Sequence, residues 1–378
     1  MTEERKTDID VIQDNENGND FTNDDKDSAS GDEDDNIRQT RRRLSVVSDN
    51  KLIEGVGSIE IEDEELLTDE KSESACKNDK SESNGIPKNV VTRYAGFSKR
   101  GYAPYNPRKK NQDALVMAED PATGSLLFVV MDGHGEAGDK VAQVFKRDMA
   151  PTVFSHSKWA TDIETALRDS INKIELEMLS DSYVDSDFSG STMVAACVRG
   201  NTITIANVGD SRAVLGIENK DGTYSSLALS IDHKPDVPLE KERIIKSGGR
   251  VFAVEYEDGM DGPPRVWLGH MDVPGLAMSR SLGDKVAHTA GVSSEPDFTS
   301  MELDPNDGHC MLLIATDGLW EFMSNDECVE ITAAAYQPRL AVESLITEAG
   351  DRWMKEEQVV DDSTVCVAFL GGWAGKSK

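Results

Sequence analysis

The stretch that decides the fold is 112-QDALVMAEDPATGSLLFVVMDGHGEAG-138. Two apolar segments, QDALVMAED and SLLFVVMDG, flank the turn sequence PATG, a pattern that predicts a strand, a tight turn and a second strand. Strands joined by so short a turn must pair antiparallel, because a parallel pair needs a longer crossover. The same pattern returns as STMVAACV, RGN and TITIANVG over 191–209. We therefore expect sheets built from antiparallel hairpins.

Helical patterns arrive in pairs between these groups of strands. We predict helices at about 136–154, 159–179, 238–247 and 339–355, and one more after the capping box Ser324-x-x-Glu327. Helices that alternate in this way with antiparallel hairpins cover the outer faces of the sheets. The sequence thus predicts a layered α+β architecture in a single ordered domain.

The first part of the chain differs in composition from the rest. The protein has 378 residues and a formal net charge of −31, and residues 1–84 hold 26 acidic against 11 basic side chains, a net charge of −15. This segment is rich in Asp, Glu, Asn and Ser and cannot bury enough apolar surface to offset its ordering entropy. We predict an acidic disordered segment at 1–85, a catalytic domain at 86–372 and a short tail at 373–378.

The composition also excludes several classes of protein. So acidic a chain is a poor nucleic-acid binder. It has no secretory signal and no apolar run of membrane-spanning length, and Thr2 stands where N-myristoylation needs a glycine. We expect a soluble monomer of the cytoplasm or the nucleus, without a membrane partner.

The five cysteines are widely spaced and form no C-x-x-C, which predicts buried free thiols.

The glycines that follow the second strand admit two interpretations. Gly133, Gly135 and Gly138 spell G-x-G-x-x-G, which is typical of a dinucleotide site. Such a site needs a second parallel strand after its helix, whereas this chain continues into another helical pattern. Asp132 also places a negative charge where a pyrophosphate would bind. These residues therefore favour an acidic metal site over a nucleotide site.

Five aspartates stand at predicted strand ends, in tight turns or beside glycines: Asp113, Asp132, Asp210, Asp317 and Asp361. One such aspartate is ordinary turn chemistry. Several of them without a lysine neighbour for each carboxylate would repel one another unless cations neutralise them. An all-oxygen ligand set suits Mg²⁺ or Mn²⁺.

Eight separated motifs resemble, in the same order, those of the metal-dependent (PPM-type) protein serine/threonine phosphatases, the protein phosphatase 2C family. They are RKKNQDA, VVMDGHGEAG, SGSTMVAACV, IANVGDSRAVL, DHKPDVPLEKERIIKSGGRV, LAMSRSLGD, LLIATDGLWEFMSNDECV and DDSTVCV. The resemblance extends from about Arg93 to Leu370. It implies a four-layer α-β-β-α sandwich, in which two antiparallel β-sheets pack together between antiparallel helices.

The resemblance also implies which residues bind metal. Asp132 would bridge two Mg²⁺ or Mn²⁺ ions, and the Gly133 carbonyl would bind one of them. Asp317 and Asp361 would complete the other site, and Asp210 would help hold a weaker third ion.

Asp113 belongs to the same implied ligand set. Gln112 stands where many members of the family have a glutamate, Glu321 where aspartate is frequent and Asp362 where asparagine is usual.

The implied reaction is hydrolysis of phosphoserine and phosphothreonine in proteins by a hydroxide that bridges the metals. Arg108 would clamp the phosphate, and His134 would protonate the leaving alkoxide. Asp284, in SRSLGD, is assigned a structural role. One alternative is a catalytically weak relative that binds phosphoproteins as a regulator, and another is a phosphohydrolase of small molecules. The presence of Asp132 and His134 favours the enzyme over the regulator.

A possible regulatory site lies in the acidic segment. Arg42-Arg43-Leu44-Ser45 resembles the consensus of cyclic-nucleotide-dependent basophilic kinases. A disordered segment is a suitable place for a charge switch of this kind. Ser45 is therefore a candidate phosphorylation site, with a basophilic kinase as the candidate partner.

Overall fold

The computed structural model describes residues 88–256 and 259–373, with the backbone alone for 255, 256 and 259–261. The predicted acidic segment 1–85, with Ser45, and the tail from 374 onward lie outside the described residues.

The described residues form two five-stranded antiparallel sheets, whose strands are numbered in chain order. The first sheet contains, from edge to edge, Val91–Lys99 (β1), Ser363–Leu370 (β16), His309–Ala315 (β15), Arg212–Glu218 (β8) and Tyr224–Ala228 (β9). The second contains Asp297–Glu302 (β14), Thr202–Val208 (β7), Met193–Arg199 (β6), Ser125–Met131 (β3) and Ala114–Asp120 (β2). The two predicted hairpins, β2–β3 and β6–β7, are confirmed.

Two small sheets of three strands complete the strand pairing. One consists of Arg250–Tyr256 (β10), Gly259–Trp267 (β11) and Pro274–Leu276 (β12). The other consists of Leu282–Gly283 (β13), Gly190–Ser191 (β5) and Gly133–His134 (β4). This second small sheet brings the GHG segment next to the residues that follow β13.

The described residues contain seven helices. They are Gly138–Phe154 (α1), Ile163–Ser180 (α2), Pro238–Lys246 (α3), Lys285–His288 (α4), Asp317–Trp320 (α5), Asn325–Ala333 (α6) and Pro338–Glu356 (α7), with a 3₁₀ turn at Pro305–Asp307. α1 and α2 pack on the sheet that contains β3, whereas α6 and α7 pack on the sheet that contains β15.

The alternation of side chains along β3 explains the four layers. Leu127 and Val129 point to one face and pack in the cluster formed with α1 and α2. Phe128 and Val130 point to the other face and pack against residues of the opposite sheet such as Ile314. Because successive side chains of a strand alternate between faces, a fully apolar strand such as β3 can be buried on both sides. The predicted four-layer α-β-β-α arrangement is confirmed.

The second helix begins later than its apolar period predicts. Trp159 lies in the preceding turn, where its indole Nε1 donates to Asp120 Oδ2 at 2.9 Å. The helix begins at Ile163, because the Asp162 side chain accepts a hydrogen bond from the Thr165 backbone N–H and caps it. The periodicity alone could not separate a buried turn residue from the first residues of the helix.

The capping box at the start of α6 is present. Ser324 Oγ accepts from the Glu327 backbone N–H at 3.3 Å, and Glu327 Oε2 accepts from the Ser324 N–H at 2.9 Å.

We expect Ser324→Ala to lower the free energy of unfolding by about 1 kcal/mol, the usual value of an N-cap. The matched control is Ser344→Ala, an exposed position inside α7, which should leave stability within about 0.5 kcal/mol. Urea denaturation of both variants checks this, and equal effects would contradict the capping role.

The four described cysteines, Cys197, Cys310, Cys328 and Cys366, are free and buried, as predicted. Among the described residues, no helix is both long and apolar enough to cross a membrane.

Candidate active site

Four of the predicted aspartates meet where strands of both large sheets begin or end. Ala114 of β2 pairs with Met131 of β3, so that Asp113 and Asp132 lie side by side. The antiparallel pairing of β15 and β16 likewise brings Asp317 close to Asp361. Asp132 interacts electrostatically with the other three carboxylates.

Burial and mutual repulsion raise the pKa of these carboxyl groups. Burial is the main cause for Asp132, reinforced by the charge of Asp317, and its pKa lies well above the usual range. The pKa of Asp113 is raised in the same way by burial and by Asp362. Burial and the charge of Asp210 raise the pKa of Asp317 to about 7. Each of these carboxyl groups therefore resists ionisation beside its neighbours.

Asp113 connects the two sheets at this point. Thr316, which follows β15, donates from its Oγ1 to Asp113 Oδ2 at 2.9 Å. The same Oγ1 accepts from the Thr364 backbone N–H of β16 at 3.0 Å. Thr316 thus links one oxygen of Asp113 to β16, while the other oxygen, Oδ1, is buried without a hydrogen-bond partner among the described residues.

Two of the five aspartates pair with lysines that are distant in the sequence. Lys234 Nζ bonds to Asp210 Oδ2. Lys109 Nζ lies 2.7 Å from Asp362 Oδ2 and 3.3 Å from Asp361 Oδ1. Lys234 is 24 positions from Asp210 and Lys109 is 252 positions from Asp361, so that folding alone brings each pair together.

The remaining acidic oxygens fit a hard divalent cation. Asp113 Oδ1, Asp210 Oδ1 and Asp317 Oδ1 are buried and have no hydrogen-bond partner among the described residues. Buried charge of this kind is costly unless a cation neutralises it, and carboxylate oxygens are the ligands of Mg²⁺ and Mn²⁺. Over 88–256 and 259–373, however, no three His, Cys, Asp or Glu side chains form a ready metal-binding group.

His134 is held by an aspartate from a distant part of the chain. His134 Nε2 lies 2.6 Å from Asp284 Oδ2, and both side chains are largely buried. Burial lowers the pKa of His134, but Asp284 outweighs it and the net shift is upward. Burial opposes ionisation of Asp284, but the charge and hydrogen bond of His134, together with Ser281 and His288, outweigh it and the pKa of Asp284 is lowered. The pair therefore favours a protonated imidazole beside the acidic cluster.

Asp284, to which the sequence analysis assigned a structural role, contacts His134 directly. It lies 150 positions from His134, and no local pattern connects the two. Its backbone is left-handed, with φ 41° and ψ 47°, and its N–H donates to the Ser189 carbonyl at 2.9 Å. A non-glycine residue in this conformation is uncommon and marks a constrained position. In the sequence, the motif SRSLGD was the feature that pointed to Asp284.

The glycines after Asp132 serve close backbone packing. A Cβ on Gly133 would lie 2.5 Å from the carbonyl oxygens of both Gln112 and Gly138. Gln112 Nε2 also donates to the Gly135 carbonyl at 2.7 Å, so that the neutral amide at this position has a structural contact. The glycines thus allow the loop to fold tightly beside Asp132. This close packing gives them a structural reason that needs no bound nucleotide.

Arg108, the predicted phosphate clamp, is exposed on the loop that precedes β2. The next residue, Lys109, does contact the acidic cluster. Arg108 is therefore an exposed residue next in sequence to a residue that contacts the cluster, and its role stays a prediction.

A family model described as "Protein phosphatase 2C" matches residues 108–357. The chain belongs to the protein phosphatase 2C family. It is 36% identical over 280 residues to probable protein phosphatase 2C 72 of Arabidopsis thaliana, a match that covers 69% of this chain and 81% of the relative. It is 33% identical over 301 residues to probable protein phosphatase 2C 52 of the same plant, covering 69% of this chain and 63% of that relative's length. The predicted enzyme class, a protein serine/threonine phosphatase, is confirmed.

Solved structures of this protein phosphatase 2C fold agree with the architecture. A serine-threonine phosphatase 2C from Toxoplasma gondii superposes with a TM-score of 0.64 at 24% identity, over 75% of this chain and 98% of that one. A C. elegans sex determining protein gives a TM-score of 0.59 at 20% identity, over 75% of this chain and 65% of that one. At these identities the likeness concerns the fold alone.

Proposed function

We propose that this protein phosphatase 2C chain hydrolyses phosphoserine and phosphothreonine in proteins and depends on Mg²⁺ or Mn²⁺, with two ions per subunit and a third bound more weakly. One observation carries the proposal: the acidic cluster around Asp132 and Asp317 lies at the same edge of the fold as the His134–Asp284 pair. That arrangement combines a site for cations with a proton donor, which are the two needs of phosphate-ester hydrolysis.

The metal pair would be held by Asp132, the Gly133 carbonyl, Asp317 and Asp361, and the weaker ion by Asp210. Two divalent ions, when bound, activate a water for attack and neutralise charge on the phosphate. Asp317 Oδ1 and Asp210 Oδ1, which are buried without a hydrogen-bond partner among the described residues, support this assignment. Asp113, tied to Thr316, would complete the acidic wall of the site.

The protein's own groups supply binding and proton transfer. His134 would donate its proton to the serine or threonine oxygen as the phosphorus–oxygen bond breaks, because an alkoxide is a poor leaving group. Asp284 would keep the imidazole protonated and fix its orientation. Arg108 would bind the phosphate oxygens with its guanidinium. Residence in the cytoplasm or nucleus and a monomeric state stay predictions.

Removal of metal should abolish most of the phosphatase activity. We expect EDTA to lower the rate of phosphate release from a phosphoserine peptide by at least about 10²-fold, since bound metal contributes several kcal/mol to such reactions. Excess Mn²⁺ or Mg²⁺ should restore the rate. Phosphopeptide binding without metal-dependent phosphate release would instead support the phosphoprotein-binding regulator.

A further inference from the structure

Three consecutive cations precede β2, and they differ in what they contact. Arg108 is exposed. Lys110 pairs with Asp139 of α1 at 2.8 Å, and 72% of its side chain is exposed. Lys109 is turned inward, with 23% of its side chain exposed, and contacts Asp361 and Asp362. Lys109 thus differs from Arg108 and Lys110 both in its burial and in the residues that it contacts.

The position of Lys109 is set by a rigid anchor. Asp362 Oδ1 accepts from the Gly101 backbone N–H at 2.7 Å, and its Oδ2 accepts from the Gln112 N–H at 2.9 Å. Asp362 is buried, so that its carboxylate cannot easily turn away. The ammonium group bound to this fixed carboxylate is also held against Asp361 Oδ1.

We infer that Lys109 is an internal counter-ion of the metal site, which neutralises Asp361 and Asp362 in the metal-free protein and weakens the binding of divalent cations. The inference rests on the proposed function, because the assignment of Asp361 as a metal ligand belongs to it. The inference assigns to Lys109 a role in setting the affinity of the site for divalent cations.

The argument follows from the charges. A divalent cation and an ammonium group cannot share the Asp361 carboxylate without repulsion, so metal binding must displace Lys109 from it or bear that repulsion. In the metal-free state the same ammonium group relieves repulsion within a cluster whose carboxyl groups are close to one another. Removal of the charge should therefore change two equilibria in opposite directions, strengthening metal binding and weakening the metal-free fold.

The test uses Lys109→Met in the full chain after removal of metal with EDTA and dialysis. Titration calorimetry with Mn²⁺ should give a Kd lower than that of the wild type by at least about tenfold, because one positive charge next to the ion is lost. The melting temperature of the metal-free variant should fall by about 2–4 °C. Lys110→Met is the matched control, since it removes the same charge from the same loop outside the cluster, and it should leave the Kd for Mn²⁺ within about twofold.

A second variant, Lys109→Gln, tests the charge in a side chain that can still donate to Asp362, and it should also tighten Mn²⁺ binding. An unchanged or higher Kd for Mn²⁺ in both Lys109 variants, or equal tightening in Lys110→Met, would overturn the inference. If the wild type hydrolyses a phosphopeptide with Mn²⁺ while Lys109→Met keeps the wild-type Kd, the inference alone fails. If the Kd falls as expected but no protein releases phosphate, the proposed function alone fails.

Discussion

Asp132→Asn is expected to lower kcat for a phosphoserine peptide by at least about 10³-fold and, at the same time, to stabilise the metal-free protein. The loss of activity follows from the proposed position of Asp132 between the two metals. The gain in stability follows from its environment, because the buried carboxyl lies beside Asp317 and Asp113 and its pKa is raised well above the usual range. An amide of the same shape has no charge to bury.

The pH dependence of the stability gain can be worked out from these pKa shifts. A carboxyl group whose pKa is higher in the folded than in the unfolded protein stabilises the fold while it is protonated, below its unfolded value of about 4. That contribution is lost as the pH rises through the folded pKa, which for Asp317 is about 7. The metal-free wild type should therefore lose stability between these pH values, and Asp132→Asn should lose less.

The matched control is Asp120→Asn, the same substitution at the other end of the β2–β3 hairpin. Burial opposes ionisation of Asp120, but hydrogen bonds from Thr123 and Trp159 outweigh it and its pKa is lowered. This control should lower stability and leave kcat nearly unchanged. Thermal melts with EDTA from pH 4 to pH 8, together with phosphate-release rates in Mn²⁺, check both variants. Activity retained by Asp132→Asn would remove it from the catalytic centre, and destabilisation by it at pH 8 would refute the electrostatic argument.

The second large effect is expected from Asp284→Asn. Because Asp284 raises the pKa of His134, its neutralisation should let burial lower that pKa, so that less of the imidazole is protonated at neutral and alkaline pH. We expect kcat for a phosphoserine peptide to fall by about 10–10²-fold at pH 8, within the range of general acid catalysis. The alkaline limb of the kcat profile should move to lower pH. Asparagine tolerates the left-handed backbone found at this position, so the fold should persist.

The choice of substrate separates proton donation from a structural role. With p-nitrophenyl phosphate the leaving group needs no proton, so that Asp284→Asn should retain most of the wild-type kcat. His134→Asn should show the same contrast between substrates, and the double variant should be no slower than His134→Asn alone, since Asp284 acts through the histidine. An equal loss of kcat with both substrates, or an unmoved alkaline limb, would show that Asp284 does not act through proton donation.

The sequence by itself determined the features that depend on neighbours in the chain. The PATG turn between two apolar segments predicted the antiparallel β2–β3 hairpin, which is confirmed. Ser324 and Glu327, three positions apart, predicted the helix start at α6. The string of motifs also identified the acidic residues, since each aspartate stands at a recognisable strand end. In these cases the interacting groups are close in sequence, so that turn and cap chemistry are visible without the fold.

Only the tertiary structure decided which groups those residues face. The bond between His134 and Asp284 and the contact of Lys109 with Asp361 join residues 150 and 252 positions apart. Which of three consecutive cations turns inward depends on where the Asp362 carboxylate is fixed, which no local pattern records. The raised pKa values of Asp132 and Asp317 likewise arise from burial and from the approach of like charges. Electrostatic energy depends on distance through space and on exclusion of water, and both are set by the packing of the two sheets.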